Sequence, residues 1–582
     1  MDVFQVEPWQ ANFKFHPKIA LIGLVRTANR LSLHIVFKIT STMQLKNLFK
    51  SNFFLMLLSG LLLALPWYEG LPSYTIFFGF VPLFVSYYRL VEQKAGFWKI
   101  IGYVYLSFFT WNILSTWWIY NATAIGAILA VVLTALLMTM VFSIYHFIHI
   151  NTSKAIGAFA FITFWIAWEQ FFHNSEITWP WLTLGNSLGN HPMVIQWYEY
   201  TGVLGGSLWI LVVNFFILSQ ITAYRERVYG RIAWFFSDVL LFFAIPFAIS
   251  LYIYFNHEEK GEKVNVLVVQ PNIDPYNEKF SGLTNEQQMD IMLSLAEESI
   301  DSTIRYVVCP ETAIDDRIWE HQLADNESVK RLKAFVDRHL GVMWITGLVS
   351  LKLYEPNETV SHTARKLPYD ERYYYDRYNS AIQVDTLFNL PIYHKSKLVV
   401  GVEMMPYPQY LKFLEKLSID LGGITGSLGT QPDRGVFRST DGKYGVGPII
   451  CYESVFGEYV AGYVQNGANL LFVITNDGWW GDTPGYRQHL SFSRIRAIEM
   501  RRSIARSANT GISAIINQRG EVIDSLGWWK RGVIKGSLYA NNATTYYARH
   551  GDYIGNISAF MALLSLAYGI SRYLMGRKKR EL

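Results

Sequence analysis

Two cysteines occur in 582 residues, and one of them ends a short apolar run, Val446 to Ile450, that reads as a buried strand. Tyr452 and Glu453 follow Cys451 directly. A free thiol with a pKa of about 8.5 is mostly protonated at neutral pH, so a nucleophilic cysteine needs a base for its proton and a cation for the thiolate. Taken alone, a lone thiol is as readily a small buried hydrophobe. Two other segments supply what it lacks. Arg305-Tyr-Val-Val-Cys309-Pro310-Glu311-Thr312 is a buried strand ending on a carboxylate. Tyr393-His394-Lys395-Ser396-Lys397-Leu398 sets two lysines before an apolar pair, with Glu403 beyond. Glu311 can accept the thiol proton, and Lys395 can favour the thiolate and a developing oxyanion. Lys397 is the alternative cation and Cys309 the alternative thiol. The cysteines fit neither a disulfide framework nor a zinc spacing, so acyl chemistry without metal or cofactor is expected.

The elements that must bring these groups together fall into two kinds. The chain is 51% hydrophobic and 16% aromatic, with mean hydropathy +0.16, and is too long for one core. The first half is poor in ionisable residues and the part after Glu258 is rich in them, which predicts a membrane region joined to a soluble domain. Apolar segments at 52–68, 74–90, 100–120, 124–149, 155–173, 203–222 and 233–255 approach the 20 or so residues a crossing needs, and an eighth lies at 553–571. Residues 1–51 form a basic segment, and Met43 is the expected start of translation.

Loop charges set an orientation. Arg89, Lys94 and Lys99, then Lys154, then Arg225, Arg227 and Arg231 alternate with loops 69–73, 121–123 and 174–202, which hold no Lys or Arg. The positive-inside rule then places both termini in the cytoplasm and residues 256–552 on the other face. The net charge of +5 is explained by these flanking cations better than by nucleic acid. The Trp179/Trp181 loop reads as an interfacial segment in the headgroup layer. Glu169, inside the fifth segment, is either a structural partner or a site residue, and Asp238 is a second carboxylate within a span.

From Val264 onward strands and helices alternate: strands at 264–270, 304–308, 342–349 and 470–475, helices at 286–300 and 492–505. Such alternation argues an α/β domain with an internal sheet. Pro310-Glu311-Thr312, Tyr393 to Leu398, and Ile450-Cys451-Tyr452-Glu453 resemble, in order, the three signatures of the carbon–nitrogen hydrolase (nitrilase) superfamily. Eight spans with that domain between the last two resemble its apolipoprotein N-acyltransferase family. The resemblance implies an αββα sandwich beside a multi-span helical domain and a C-terminal transmembrane helix, with domains at 52–255, 256–552 and 553–582. It implies Glu311 as general base, Lys395 as oxyanion-stabilising cation and Cys451 as nucleophile, supported by Glu403, Tyr452 and Glu453. Trp479, Trp480, Phe280, Trp179 and Trp181 are the expected substrate-binding residues, and Thr475 to Gly481 and Arg506 to Gly511 resemble family segments near the site.

Two departures stand out. Leu398-Val-Val-Gly-Val-Glu403 replaces the usual Leu-Val-Pro-Phe-Gly-Glu, and Phe280 stands where a tryptophan is common. The implied reaction moves an acyl chain from a phospholipid, through a cysteine thioester, to the N-terminal amine of a diacylglyceryl-cysteine lipoprotein in the bacterial inner membrane. The alternatives are a membrane-tethered amidase or nitrilase acting on a small amide, and a non-enzymatic membrane scaffold.

Overall fold

A computed structural model describes residues 48–225, 240–279, 282–407 and 427–581. The basic segment up to Asn47, Asp238, Arg227, Arg231 and Phe280 lie outside the described residues.

The helical part is built from apolar sequence punctuated by capping residues. Ser51, Thr123 and Ser153 accept hydrogen bonds from the amides of Phe54, Gly126 and Ile156, opening helices Asn52–Ala64, Ala124–Asn151 and Lys154–Asn174. Among the described residues five stretches are long and apolar enough to cross a membrane: Ser73–Glu92, Ala124–Asn151, Lys154–Asn174, Tyr198–Thr222 and Tyr553–Gly576. Asn52–Trp67 and Leu241–Asn256 are shorter apolar helices, and the 100–120 segment is the helix Phe97–Thr116. Ile128, Leu129, Leu133, Leu136 and Met140 are exposed along one helix, a surface that lipid solvates better than water. Inside, Phe80, Phe84, Phe161 and Trp165 pack edge to face. Close helix crossing depends on small residues: a Cβ at Gly60 would stand 2.6 Å from the Ser107 carbonyl oxygen.

The second part is a four-layer sandwich. One sheet runs in the order Gly532–Ala540, Glu262–Gln270, Ile304–Val308, Met343–Leu353, Asp370–Val384, Arg365–Leu367, with Ile314–Trp319 and Ile392–His394 paired at its side. The other runs Val522–Leu526, Ser513–Ile516, Ile504–Ala508, Leu470–Thr475, Gly445–Ile450, Phe437–Arg438. The period-two alternation of a strand decides the layering. Val264, Val266 and Val268 face the second sheet and share its core, while Leu267 and Val269 face Met289, Met292, Leu332 and Phe335 of the helices Asn285–Glu297 and Glu327–Arg338. Helices Gly457–Gln465 and Pro484–Met500 cover the second sheet.

One expected boundary is wrong. The predicted helix at 492–505 is instead the helix Pro484–Met500 followed by the strand Ile504–Ala508. Thr483 caps the true start, and Arg501, left-handed at φ 47°, ends it. The Trp179/Trp181 loop also differs from the interfacial segment expected of it. It is a chain of 3-10 turns clamped under the catalytic domain, where Trp181 is buried and its indole N–H donates to Gln488 Oε1 at 2.7 Å. Glu169 is a structural partner there: its Oε1 accepts from Trp165 Nε1 at 3.0 Å and Leu184 N at 2.9 Å.

The two parts interlock. Glu499 Oε1 accepts from Val203 N at 3.0 Å, Arg501 pairs with Glu199 at 2.8 Å, and Gln488 donates to the Trp67 carbonyl at 3.0 Å. Gly202, at φ 60°, breaks the helix Tyr198–Arg225 where it meets the ring of Tyr547, 2.3 Å from where a Cβ would stand. Gly202→Ala should therefore cost about 1–3 kcal/mol through left-handed strain and overpacking. Thermal unfolding of the detergent-solubilised protein reads this as a lowered midpoint, and an unchanged midpoint would contradict the close approach.

Candidate active site

Cys451 sits at the turn between the buried strand Gly445–Ile450 and the 3-10 turn Cys451–Val455, with a left-handed φ of 51°. Holding a non-glycine residue in that region is unfavourable, and such strain collects at functional sites. The surroundings fix it. Ser454 Oγ donates to the Cys451 carbonyl at 2.7 Å, and His489 Nε2 lies 3.1 Å from the same oxygen. His489 Nδ1 lies 2.8 Å from Asp477 Oδ1, and Arg506 donates to Asp477 Oδ2 at 2.6 Å. Burial works against the Asp477 charge, but Arg506 and His489 outweigh it and hold its pKa at about 2.

Glu453 has a different task. Its Oε1 accepts from Tyr393 Oη at 2.6 Å and Ser396 N at 2.8 Å, and its Oε2 from Ile450 N at 2.9 Å. One buried carboxylate thus ties the thiol-bearing turn to the lysine-bearing strand end.

Lys395 follows the strand Ile392–His394, and its amide donates to the Asn379 carbonyl at 2.8 Å. Its ammonium, 1% exposed, donates to Glu311 Oε1 at 3.0 Å and Glu403 Oε1 at 2.9 Å. Asn379 Nδ2 donates to the same two oxygens, at 2.8 and 3.0 Å. Burial disfavours charge on Lys395, but the carboxylates of Glu311 and Glu403 outweigh it and lift its pKa well above the ordinary lysine value. Glu311 is set by a sharp turn: Thr312 is left-handed at φ 47°, and Lys279 Nζ donates to its carbonyl at 2.8 Å and its hydroxyl at 2.7 Å. Asn476 N donates to Glu311 Oε2 at 3.1 Å. The altered Leu398–Glu403 loop keeps its carboxylate on site because Glu403 Oε2 accepts from Val399 N at 2.8 Å, closing its own turn over Gly401, left-handed at φ 81°.

Glu311, Lys395, Glu403 and Cys451 share one cavity of about 170 Å³. Burial, then the Glu311 carboxylate, push the Cys451 thiol well above its ordinary pKa, with Lys395 opposing. The resting thiol is therefore protonated and needs its proton removed during attack. The apolar walls come from Ile119 and Ala122 of the short helix Ile119–Ala122, Gly126 and Ala130 of the helix Ala124–Asn151, and Val399, Val400 and Val402 of the Glu403 loop. Tyr452, Trp179, Trp181, Trp479 and Trp480 also line it. Trp179 stacks on Trp181 at 5.2 Å and 9°, and Trp118 meets Trp480 at 4.8 Å. Asn121 Nδ2 donates to the Trp480 carbonyl at 2.8 Å, and Tyr276 Oη to that of Trp479 at 2.9 Å.

Lys397 lines a different cavity, and Cys309 is buried in the helix-side core. Among the described residues no group of three His, Cys, Asp or Glu side chains could hold a metal ion. Sequence reading missed Asn379, Lys279, Trp118 and His489. A buried amide at the start of the apolar run Ser380-Ala-Ile was the one available signal for Asn379.

Residues 266–547 match the carbon–nitrogen hydrolases, and residues 59–216 match the apolipoprotein N-acyltransferase N-terminal domain. A protein of Chlorobaculum tepidum named apolipoprotein N-acyltransferase is 29% identical over 529 residues, 88% of this chain and 95% of the relative. One of Thermotoga maritima with the same name is 24% identical over 539 residues, 88% of this chain and 93% of the relative. A third, of Bradyrhizobium diazoefficiens, is 37% identical over 191 residues, 32% of this chain and 34% of the relative. Residues 59–216 contribute Ile119, Ala122, Gly126 and Ala130 to the cavity, and residues 266–547 contribute Glu311, Lys395 and Cys451. The chain belongs to the apolipoprotein N-acyltransferase family, within the carbon–nitrogen hydrolases.

Proposed function

We propose that the protein moves a fatty acyl chain from a phospholipid to the N-terminal amine of a diacylglyceryl-cysteine lipoprotein. The observation that carries this reading is the shared cavity, in which a nucleophile, a carboxylate and an ammonium open onto residues of a membrane helix. A small soluble amide has no use for Ile119, Ala122, Gly126 and Ala130, whereas an acyl chain gains about 0.8 kcal/mol for each CH₂ buried on them.

The chemistry follows from the proton inventory. Cys451 Sγ attacks the ester carbonyl as its proton passes to Glu311. Lys395, held charged by Glu311 and Glu403, faces the oxyanion that develops. Glu311 then returns the proton to the departing glycerol oxygen, leaving a thioester and a lysophospholipid. The lipoprotein's neutral α-amine attacks the thioester, Glu311 takes its surplus proton, and the released thiolate recovers it. Water must be kept out during the wait, and the packed tryptophans at the mouth serve that end.

Supporting this placement, Asn174 ends one apolar helix and Tyr553 begins another, and His173 Nδ1 lies 3.7 Å from Asp552 Oδ2, so both helices leave the membrane on the catalytic domain's side. Together with the loop charges, this supports a catalytic domain on the outer face of the bacterial inner membrane and both termini in the cytoplasm. The domain limits that go with it are 52–255, 256–552 and 553–582.

Cys451→Ala should remove thioester formation from radiolabelled phospholipid and cut lipoprotein N-acylation by at least about 10³-fold. A wild-type protein that forms no labelled thioester would refute the proposal. Glu311→Gln should slow the same step and leave a rate that climbs with pH across the accessible range. The thiol's pKa is raised, and with no carboxylate to take its proton the thiolate must come from solvent deprotonation. A pH-independent residual rate in that variant would show that another group is the base.

A further inference from the structure

The proton transfers of Cys451 and Glu311 leave His489 unused, although its ring lines their cavity. It sits fully buried on the helix Pro484–Met500, against the turn that carries the thiol. The partners of its two nitrogens fix its protons.

Nδ1 lies 2.8 Å from Asp477 Oδ1. Asp477, its pKa held at about 2, is a carboxylate that can only accept, so Nδ1 carries a hydrogen. Arg506 Nη2 also comes within 3.2 Å of Nδ1, but its shorter bond goes to Asp477 Oδ2 at 2.6 Å. Nε2 faces two oxygens, the Cys451 carbonyl at 3.1 Å and Ser454 Oγ at 2.9 Å. The carbonyl can only accept, and the one hydroxyl hydrogen of Ser454 already goes to that same carbonyl at 2.7 Å. A bare Nε2 would set its lone pair against two oxygens in a buried site, which is costly. With a hydrogen on both nitrogens, every partner is satisfied.

The surroundings suit the resulting charge. The Trp480 and Trp181 ring centres stand 5.6 and 5.9 Å from that of the imidazole, within the range at which an indole attracts a cation. Asp477 and Arg506 are the charged groups against the ring among the described residues, and they pair with each other. Glu311, Glu403 and Lys395 lie across the cavity. Burial, the Glu311 carboxylate and Asp477 push the Cys451 thiol up, with Lys395 opposing. A positive charge on His489 offsets Asp477 and favours the thiolate. Its charge-assisted bond also holds the carbonyl of a residue whose φ of 51° is unfavourable, more firmly than a neutral donor would.

We infer that His489 is held as an imidazolium and is a positioning residue for acyl transfer, fixing the Cys451 turn through its carbonyl and easing ionisation of the thiol. This rests on Cys451 being the nucleophile of the reaction proposed above.

The full chain labelled with ¹⁵N-histidine tests the charge directly. Solid-state NMR in lipid, with the His489 signals identified by their loss in His489→Gln, should show a hydrogen on both ring nitrogens at about pH 7, where an ordinary histidine has mostly lost one. A bare ring nitrogen overturns the proposal. Alkylation of Cys451 by iodoacetamide, with Cys309 counted apart by peptide mapping, tests the effect on the thiol without any lipid substrate. In His489→Gln the rate should fall about threefold or more, a tenfold loss of thiolate being partly offset by a more nucleophilic sulfur. Adding Asp477→Asn removes the carboxylate that His489 offsets, so the double variant should recover most of that loss. A rate unchanged in the single variant, or no recovery in a folded double variant, overturns the proposal. Where the variants do not fold, the wild-type NMR decides, its His489 signals then assigned by pH and by contacts to the tryptophan rings. Absence of a labelled thioester in the wild-type protein would count against acyl transfer and leave both of these measurements standing.

Discussion

The structure depends on one buried ammonium shared between two carboxylates. Lys395 has almost no contact with water, and neither Glu311 nor Glu403 can be moved away without stranding charge in a medium that cannot solvate it. Each of the three comes from a different stretch of chain, so the cluster forces a strand end, a sharp turn and a loop to converge. Asn379 completes it by donating to the same two oxygens, and its backbone carbonyl holds the Lys395 amide. The thiol is positioned against this cluster by a separate set of bonds, through Glu453 on one side and the Ser454, His489, Asp477 and Arg506 chain on the other. Electrostatics and placement are thereby divided between two networks that join at Cys451 and, through the Glu453–Ser396 bond, beside Lys395.

The same division explains what was legible in the sequence. Glu311 and Cys451 could be found because each ends an apolar run, where a polar group stands out against its neighbours, and Lys395 because it sits just before an apolar pair. Their meeting could not be read from spacing, since it depends on how two sheets stack. The strands themselves were found nearly to the residue, 304–308 and 470–475 among them, because a continuous apolar run of that length has few other homes. The helix ending at Met500 was misplaced because Arg501-Arg502-Ser503 carries no glycine or proline to announce a stop. Arg501 and Arg502 are instead fixed by tertiary bonds: Arg501 reaches Gln196 in the membrane half, and Arg502 the Ala468 and Ala543 carbonyls.

The Trp179/Trp181 loop shows the limit of compositional reasoning. Tryptophans flanked by glycine and proline beside an apolar segment suit a membrane interface, and that expectation used nothing but local sequence. What overrode it was a partner more than three hundred residues away. Gln488 takes the Trp181 indole N–H, and the Trp480 and Phe492 rings pack around the indole. The residues expected to float at the boundary are the mortar between two domains, and they form a wall of the cavity that holds Cys451 as a consequence.

That mortar has a counterpart at the other end of the chain. The helix beginning at Tyr553 lies against Lys154–Asn174, where Gln170 Nε2 donates to Asn556 Oδ1 at 2.7 Å, and a Cβ on Gly555 would stand 2.5 Å from Gln170 Oε1. This helix follows the whole sandwich in sequence yet packs against a helix that precedes it, so the sandwich is enclosed between two contacting helices. The protein is therefore closed like a buckle, with this helix as the tongue. Cutting the chain after Asp552 would leave the sandwich joined to the helical part through one covalent connection instead of two, and would remove the helix that holds the His173–Asp552 contact in place.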